Sequence, residues 1–168
     1  MNFEKYTERA RGFVLVAQDL AQRSAHQQLV PEHLLKALLD DEEGLCANLI
    51  RAAGGDAAGA EQAVELVLDK LPKVEGDGAG QVYLSKEASR ILSDAQDVAD
   101  KAGDSFVTVE RLLLAVALAT GTSAAKILAD ANVTPQALNE AINALRKGRT
   151  ADSATAENAY EALAKYTR

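Results

Sequence analysis

Apolar positions recur at steps of three and four along most of this 168-residue chain, which predicts helices rather than strands. Phe3, Tyr6, Ala10, Phe13, Ala17 and Leu20 form one stripe of a first helix over 3–24. Pro31 and Glu32 open a shorter helix through Leu34, Leu35 and Leu38, since proline's missing N–H has no partner to lose in a first turn. The acidic run Asp40-Asp41-Glu42-Glu43 reads as a solvated turn near the next helix N-terminus. Leu45, Leu49 and Ile50 mark a third helix stopped by Gly54-Gly55. Asp56 caps a fourth, with Ala60, Val64, Val67, Leu68 and Leu71 inward. Residues 72–84 then lose the period and carry Gly76, Gly78 and Gly80, as a linker does.

The second half repeats this plan. Ser85 caps a helix through Ile91, Leu92, Ala95 and Val98, and Thr108 caps one through Leu112, Leu113 and Val116. Ile127 and Leu128 mark the next, and Thr134-Pro135 opens the last, through Leu138, Ile142 and Leu145. Sliding the chain by 78 residues without gaps aligns 3–69 with 81–147 and gives 12 identities in 67 pairs. Seven of these are Ala–Ala, which an Ala-rich chain yields cheaply. The shared register of caps, leucine pairs and stops therefore carries more weight than the identities. The predicted architecture is all-α, a pseudo-twofold duplication of a four-helix unit, with 1–71 and 85–148 as the two copies. Two copies packed face to face would leave a groove along their seam. Residues 149–156 are small and polar and read as a flexible linker. Residues 157–168 read as a short amphipathic helix with Tyr160, Leu163 and Tyr166, the truncated start of a further domain.

Composition narrows the function. Aromatic residues make up only 4% of the chain, so Ala, Leu and Val must build the core. The net charge of −7 argues against a broad phosphate-binding surface, and hence against nucleic acid. No apolar run is long enough to span a membrane and no signal-peptide core is present, so the expected compartment is the cytoplasm. The lone Cys46 lies in an apolar helical context and reads as a buried structural thiol. His26 and His33 make a conceivable but unsupported metal pair, and His33 reads better as a packing or surface residue. No phosphate-cradling glycine motif occurs, so this segment is expected to need no cofactor and to catalyse nothing. Two corners, 27–33 and 105–111, coincide under the 78-residue shift. Each sets an apolar pair just before a helix whose first turn holds Glu32 or Glu110, which either staples the helix or presents apolar and acidic groups to a peptide.

Those corners carry a resemblance. Pro31-Glu32-His33-Leu34-Leu35-x-Ala37-Leu38-Leu39 and Val109-Glu110-Arg111-Leu112-Leu113-x-Ala115 resemble the Clp N-terminal repeat, which caps the Clp/Hsp100 family of AAA+ chaperones. The linker Leu71-Pro72-Lys73-Val74-Glu75-Gly76 and the tail from Tyr160 to Arg168 resemble the disaggregase branch. The resemblance implies a domain tethered to a hexameric ATPase ring, with ATP and Mg bound by modules downstream. It implies binding of exposed hydrophobic segments of unfolded or aggregated polypeptides in the groove between the repeats, and cooperation of the intact protein with the DnaK system. Docking of a folded adaptor, as in the ClpA and ClpC branches, is the alternative. Carried over position by position, Thr7, Asp104 and Glu110 match polar residues implicated in substrate handling, and Val98 and Leu112 match apolar groove positions. Asp94 and Arg111 stand where apolar groove residues are usual, and Val30 replaces a polar cap.

Overall fold

Thr7 and Ser85, 78 residues apart, start the two longest helices in the same way. Each hydroxyl accepts the backbone N–H three residues on, from Ala10 and from Ala88, both at 3.1 Å. The computed structural model describes residues 3–74 and 81–157. These form α1 (Glu8–Arg23), β1 (Gln28–Leu29), α2 (Pro31–Leu39), α3 (Leu45–Ala52), α4 (Ala57–Asp69), β2 (Tyr83–Leu84), α5 (Lys86–Lys101), α6 (Val109–Leu118), α7 (Ser123–Asp130) and α8 (Pro135–Arg146). Helices α5 to α8 each start 78 residues after α1 to α4 (86 − 8, 109 − 31, 123 − 45, 135 − 57), which is the duplication read from the sequence. Gly76, Gly78, Gly80 and the expected terminal helix with Tyr160, Leu163 and Tyr166 lie outside the described residues.

The first helix begins at Glu8 rather than Phe3. Thr7 starts it by capping, and the residues before it run extended across to the other repeat. Tyr6 forms a parallel bridge with Val107, and the Thr7 N–H donates to the Val107 carbonyl at 2.9 Å. The pseudo-equivalent contact joins β2 to β1: Leu84 pairs with Leu29, and the Ser85 N–H donates to the Leu29 carbonyl at 3.0 Å. The segment entering each repeat is thus held by the corner of the other. The copies are interlocked, not merely stacked.

Helices α2 and α6 fill the seam. Their sequences, PEHLLKALL and VERLLLAVAL, are apolar on nearly every face, and such helices belong at the centre of a core. Of α2 only Lys36 is not buried. The paired alanines Ala10/Ala88, Ala17/Ala95 and Ala21/Ala99 are all at most 2% exposed and let α1 and α5 lie close on this central pair. At the pseudo-axis the turns after α3 and α7 meet. The Asn132 side chain donates to the Gly54 carbonyl, and the Asp56 N–H to that of Ala131. A side chain at Gly55 would sit 2.4 Å from Val133, so the approach requires glycine.

The 26–33 corner replaces its missing polar cap with a histidine pair. His33 Nδ1 accepts the Val30 N–H at 3.0 Å, which leaves its proton on Nε2 to be donated to His26 Nδ1, 2.9 Å away. Burial pushes His33 down to about 4, with His26 adding to the shift, and burial also lowers His26. Both rings are neutral when folded and gain protons more readily when unfolded, so they stabilise the fold above the unfolded histidine pKa of about 6.5 and less as pH falls toward 4. The stability advantage of the wild-type chain over His33→Gln should therefore shrink between those limits. Urea unfolding of both proteins across that range tests this, and parallel pH profiles would sink it.

Candidate functional site

The five positions named from the sequence do not share one surface. Thr7, Asp104, Glu110 and Leu112 are buried, and only Val98 is partly open. Leu112 packs into the core beneath α6. Thr7 caps α1.

Asp104 and Glu110 belong to a buried ionic cluster in the second repeat. Arg146, in the last turn of α8, reaches Asp104 at 2.6 Å, Glu110 at 2.8 Å and the Thr108 hydroxyl at 2.8 Å. Arg111 donates to Asp104 at 3.1 Å and to Asn139 at 3.0 Å. Burial alone would raise the Asp104 pKa, but the Arg146 hydrogen bond, with the Ala151 N–H and Arg111, holds it below the usual aspartate value. This is the counterpart of the histidine pair, because His26 and His33 stand 78 residues before Asp104 and Arg111. One copy bridges its corner with neutral imidazoles, the other with an ion pair. Arg146 was not among the residues picked from the sequence. Its signal was present: Leu138, Ile142 and Arg146 recur at steps of four, which puts an arginine on the buried stripe of α8.

Residues 149–156, expected as a flexible linker, instead lie against this cluster together with Glu157. The Ala151 N–H donates to Asp104 at 2.9 Å, and the Ala151 carbonyl accepts from Ser105 and Phe106 at 2.9 and 3.1 Å. The Ala154 carbonyl accepts the Glu8 N–H at 2.8 Å, and Glu157, 1% exposed, accepts the Val109 N–H at 2.7 Å. The physical reason is that the first N–H groups of α1 and α6 lack partners inside their helices, and the segment supplies the acceptors. Burial, reinforced by the charge of Glu110, pushes Glu157 up to about 7.

The open apolar surface lies elsewhere. Val98 of α5, Leu114 and Leu118 of α6 and Pro135 of α8 line a shallow groove of about 370 Å³, with Arg111 and Asn139 along it. Leu118 is 48% exposed and forms a ridge to a second hollow, of about 270 Å³, beside Arg90 and Asp94. The expected groove between the repeats is thus displaced. α2 and α6 close the seam, and Val98 sits on a groove built wholly by the second copy. Asp94 points outward near Arg90 and does not pair with Arg111. A larger hollow, about 540 Å³, runs beside Phe13 and Val16, but Glu8, Arg9, Asp41, Glu43 and Glu157 line it, with Arg9 at 3.1 Å from Asp41 and Glu43.

Cys46 is fully buried, its pKa raised by burial and then by the charge of Glu110. Among the described residues no cluster of His, Cys, Asp and Glu is placed to hold a metal ion, and no single helix is long and apolar enough to cross a membrane.

Comparison with known proteins fits this architecture. Residues 5–131 match the family described as Clp repeat (R) N-terminal domain. Chaperone protein ClpB of Rhodopseudomonas palustris is 61% identical over the whole chain, and that of Mesorhizobium japonicum 55%; the chain spans 19% of the length of each. Among solved structures, the Hsp104 N-terminal domain from Candida albicans superposes with a TM-score of 0.77 at 25% identity, covering 91% of this chain and 99% of that one.

Arg146 lies beyond the matched residues yet neutralises two buried carboxylates within them. Replacing it with Met should cost about 3–5 kcal/mol, because both carboxylates would lose their counter-charge. Arg146→Lys should recover only part, since an ammonium cannot reach three partners in fixed directions. Urea denaturation measures both variants. A loss below about 1 kcal/mol in Arg146→Met, the value typical of an exposed pair, would show that the cluster is not what holds α8.

Proposed function

We propose, from the premise that the chain belongs to the Clp repeat (R) N-terminal domain family, that it captures exposed hydrophobic segments of unfolded or aggregated polypeptides for a protein-disaggregating ATPase. The observation that carries the reading is the groove at Val98, Leu114 and Leu118. A mostly aliphatic hollow with a half-exposed leucine on its rim removes apolar side chains from water, without demanding a particular sequence. The larger hollow beside α1 suits this less, because an apolar segment there would strip water from Glu8, Arg9, Asp41 and Glu43.

In this reading the chain recognises and hands over, and does no chemistry. ATP and Mg belong to modules outside it, and the ring and the DnaK system are partners of the whole protein. The 61% identity to a ClpB chaperone across the full chain supports that placement, and a cytoplasmic setting is part of the same proposal. Binding is weak by construction: the groove is shallow, and a disordered ligand must be ordered on it. Arg111 and Asn139 along one wall give the groove polar partners for a backbone carbonyl of the bound segment.

An NMR titration of this chain with an unfolded model protein, and then with its folded form, tests the reading. Shifts are expected at Val98, Leu114 and Leu118 with the unfolded form alone. Leu118→Asp should weaken binding about tenfold, the value of one leucine contact, with little change in stability. Absence of shifts at millimolar unfolded protein would remove client capture. Shifts with the folded form alone would indicate docking of a folded adaptor instead.

A further inference from the structure

Three of the five positions named from the sequence converge on one feature outside the Val98 groove. Thr7, Asp104 and Glu110 all surround residues 149–157. Asp104 accepts the Ala151 N–H, the Thr7 hydroxyl lies close enough to lower the Glu157 pKa, and Glu110 lies close enough for its charge to raise it while Arg146 holds it. The segment caps two helices belonging to different repeats. Ala154 takes the first N–H of α1, and Glu157 that of α6. Its Ala151 carbonyl adds two bonds to the turn at Ser105 and Phe106. Ala151 and Glu157 are at most 1% exposed, while Asp152, Ser153 and Thr155 between them are exposed. The segment is therefore anchored at points and contributes little apolar area, the profile of a unit that opens without unfolding the core beneath it.

We propose that residues 149–157 form a docked strap that fixes the direction in which the chain leaves the domain, and that Thr7, Asp104 and Glu110 are positioning residues acting through this strap rather than by touching a bound polypeptide. Glu157 is the clasp. It accepts the Val109 N–H at the start of α6 and is 1% exposed. When the clasp is held, the connection as far as residue 157 is fixed against the starts of α1 and α6. When it opens, the connection from Arg149 onward gains about nine freely rotating residues, and the domain swings on them. The inference is independent of the client reading, since the strap and the Val98 groove share no residue.

Amide hydrogen exchange on the 168-residue chain tests it, read at Glu8, Ser105, Phe106, Val109 and Ala151. These amides should share one intermediate protection, lower than that of the α2 and α6 interiors. Glu157→Ala should speed exchange at Glu8, Val109 and Ala151 together by about tenfold to a hundredfold, the value of a hydrogen bond to a buried charged or polar group, with α2 unchanged. Glu157→Gln keeps an acceptor for the Val109 N–H and should restore most of the protection. Thr7→Ala should loosen the same amides while leaving shifts at Val98, Leu114 and Leu118 in a client titration as they are in the wild-type chain. Unchanged exchange at Glu8 and Ala151 in Glu157→Ala would overturn the strap as a unit. Equal loss of protection in α2 would reduce these residues to general supports of the fold. A Thr7→Ala chain with altered client shifts and an unaltered strap would return Thr7 to the client surface. Loss of client shifts in the wild-type chain would overturn only the capture reading.

Discussion

The structure depends on a backbone exchange made twice. Thr7 donates its N–H to Val107 and Ser85 donates its N–H to Leu29, and in each case the donor belongs to one repeat and the acceptor to the other. A four-helix unit of about 70 residues has a small core and is marginal alone. The exchange makes each unit's first helix start against its partner's corner, so neither can form its N-terminus without the other. It also forces α2 and α6, the helices that follow those corners, side by side at the centre, where their all-round apolar sequences belong. Seam and core are then the same place, with α2 and α6 filling its middle.

With that frame shared, the two copies differ where their corners must be braced. The first uses two neutral imidazoles and the second an aspartate held by two arginines. The choice has consequences beyond the corner. The imidazole pair draws no cation from α4, whose Leu68 stands where α8 has Arg146. The carboxylate of Asp104 has capacity left after its arginines and spends it on the Ala151 N–H. An ionic corner in the second copy thus creates the anchor for the segment that leaves it. The pseudo-symmetry is broken on the side where residues 149–157 leave the second repeat.

Much of this was legible in the sequence, and the failures are physically instructive. The 78-residue register placed all eight helices and most caps, because capping and leucine spacing are local properties of the chain. The Ala–Ala matches, cheap as counts, mark the closest packing positions: Ala10, Ala17, Ala21 and their partners are the floor on which α1 and α5 lie. The interlock was not legible, because a two-residue parallel pairing between distant segments leaves no period to read. Residues 149–156 misled for a related reason. Small polar residues read as a linker, yet what holds them is mostly their backbone, bonded to helix ends that composition does not reveal. The site residues fared worst. Spacing can say that Asp104 and Glu110 flank a helix start, but not whether they face solvent or an arginine three turns into another helix.

That last distinction decides how the family positions should be understood. A residue whose replacement disturbs substrate handling can touch the substrate, or can hold something whose movement the handling needs. Exposure separates the two. Leu118 is half open and Val98 partly so, and both border an apolar hollow, so they are placed for contact. Thr7, Asp104 and Glu110 are at most 3% exposed and engaged with helix ends, arginines and the departing chain, so they are placed to hold structure. The proposed capture of loose polypeptide for a separate motor needs both a surface that binds weakly and a connection of controlled length. The second repeat supplies the two on opposite ends of α6: the groove runs along its C-terminal half at Leu114 and Leu118, and the strap closes on its N-terminus at Val109. A rigid, buried helix between them keeps grip and tether from interfering with each other.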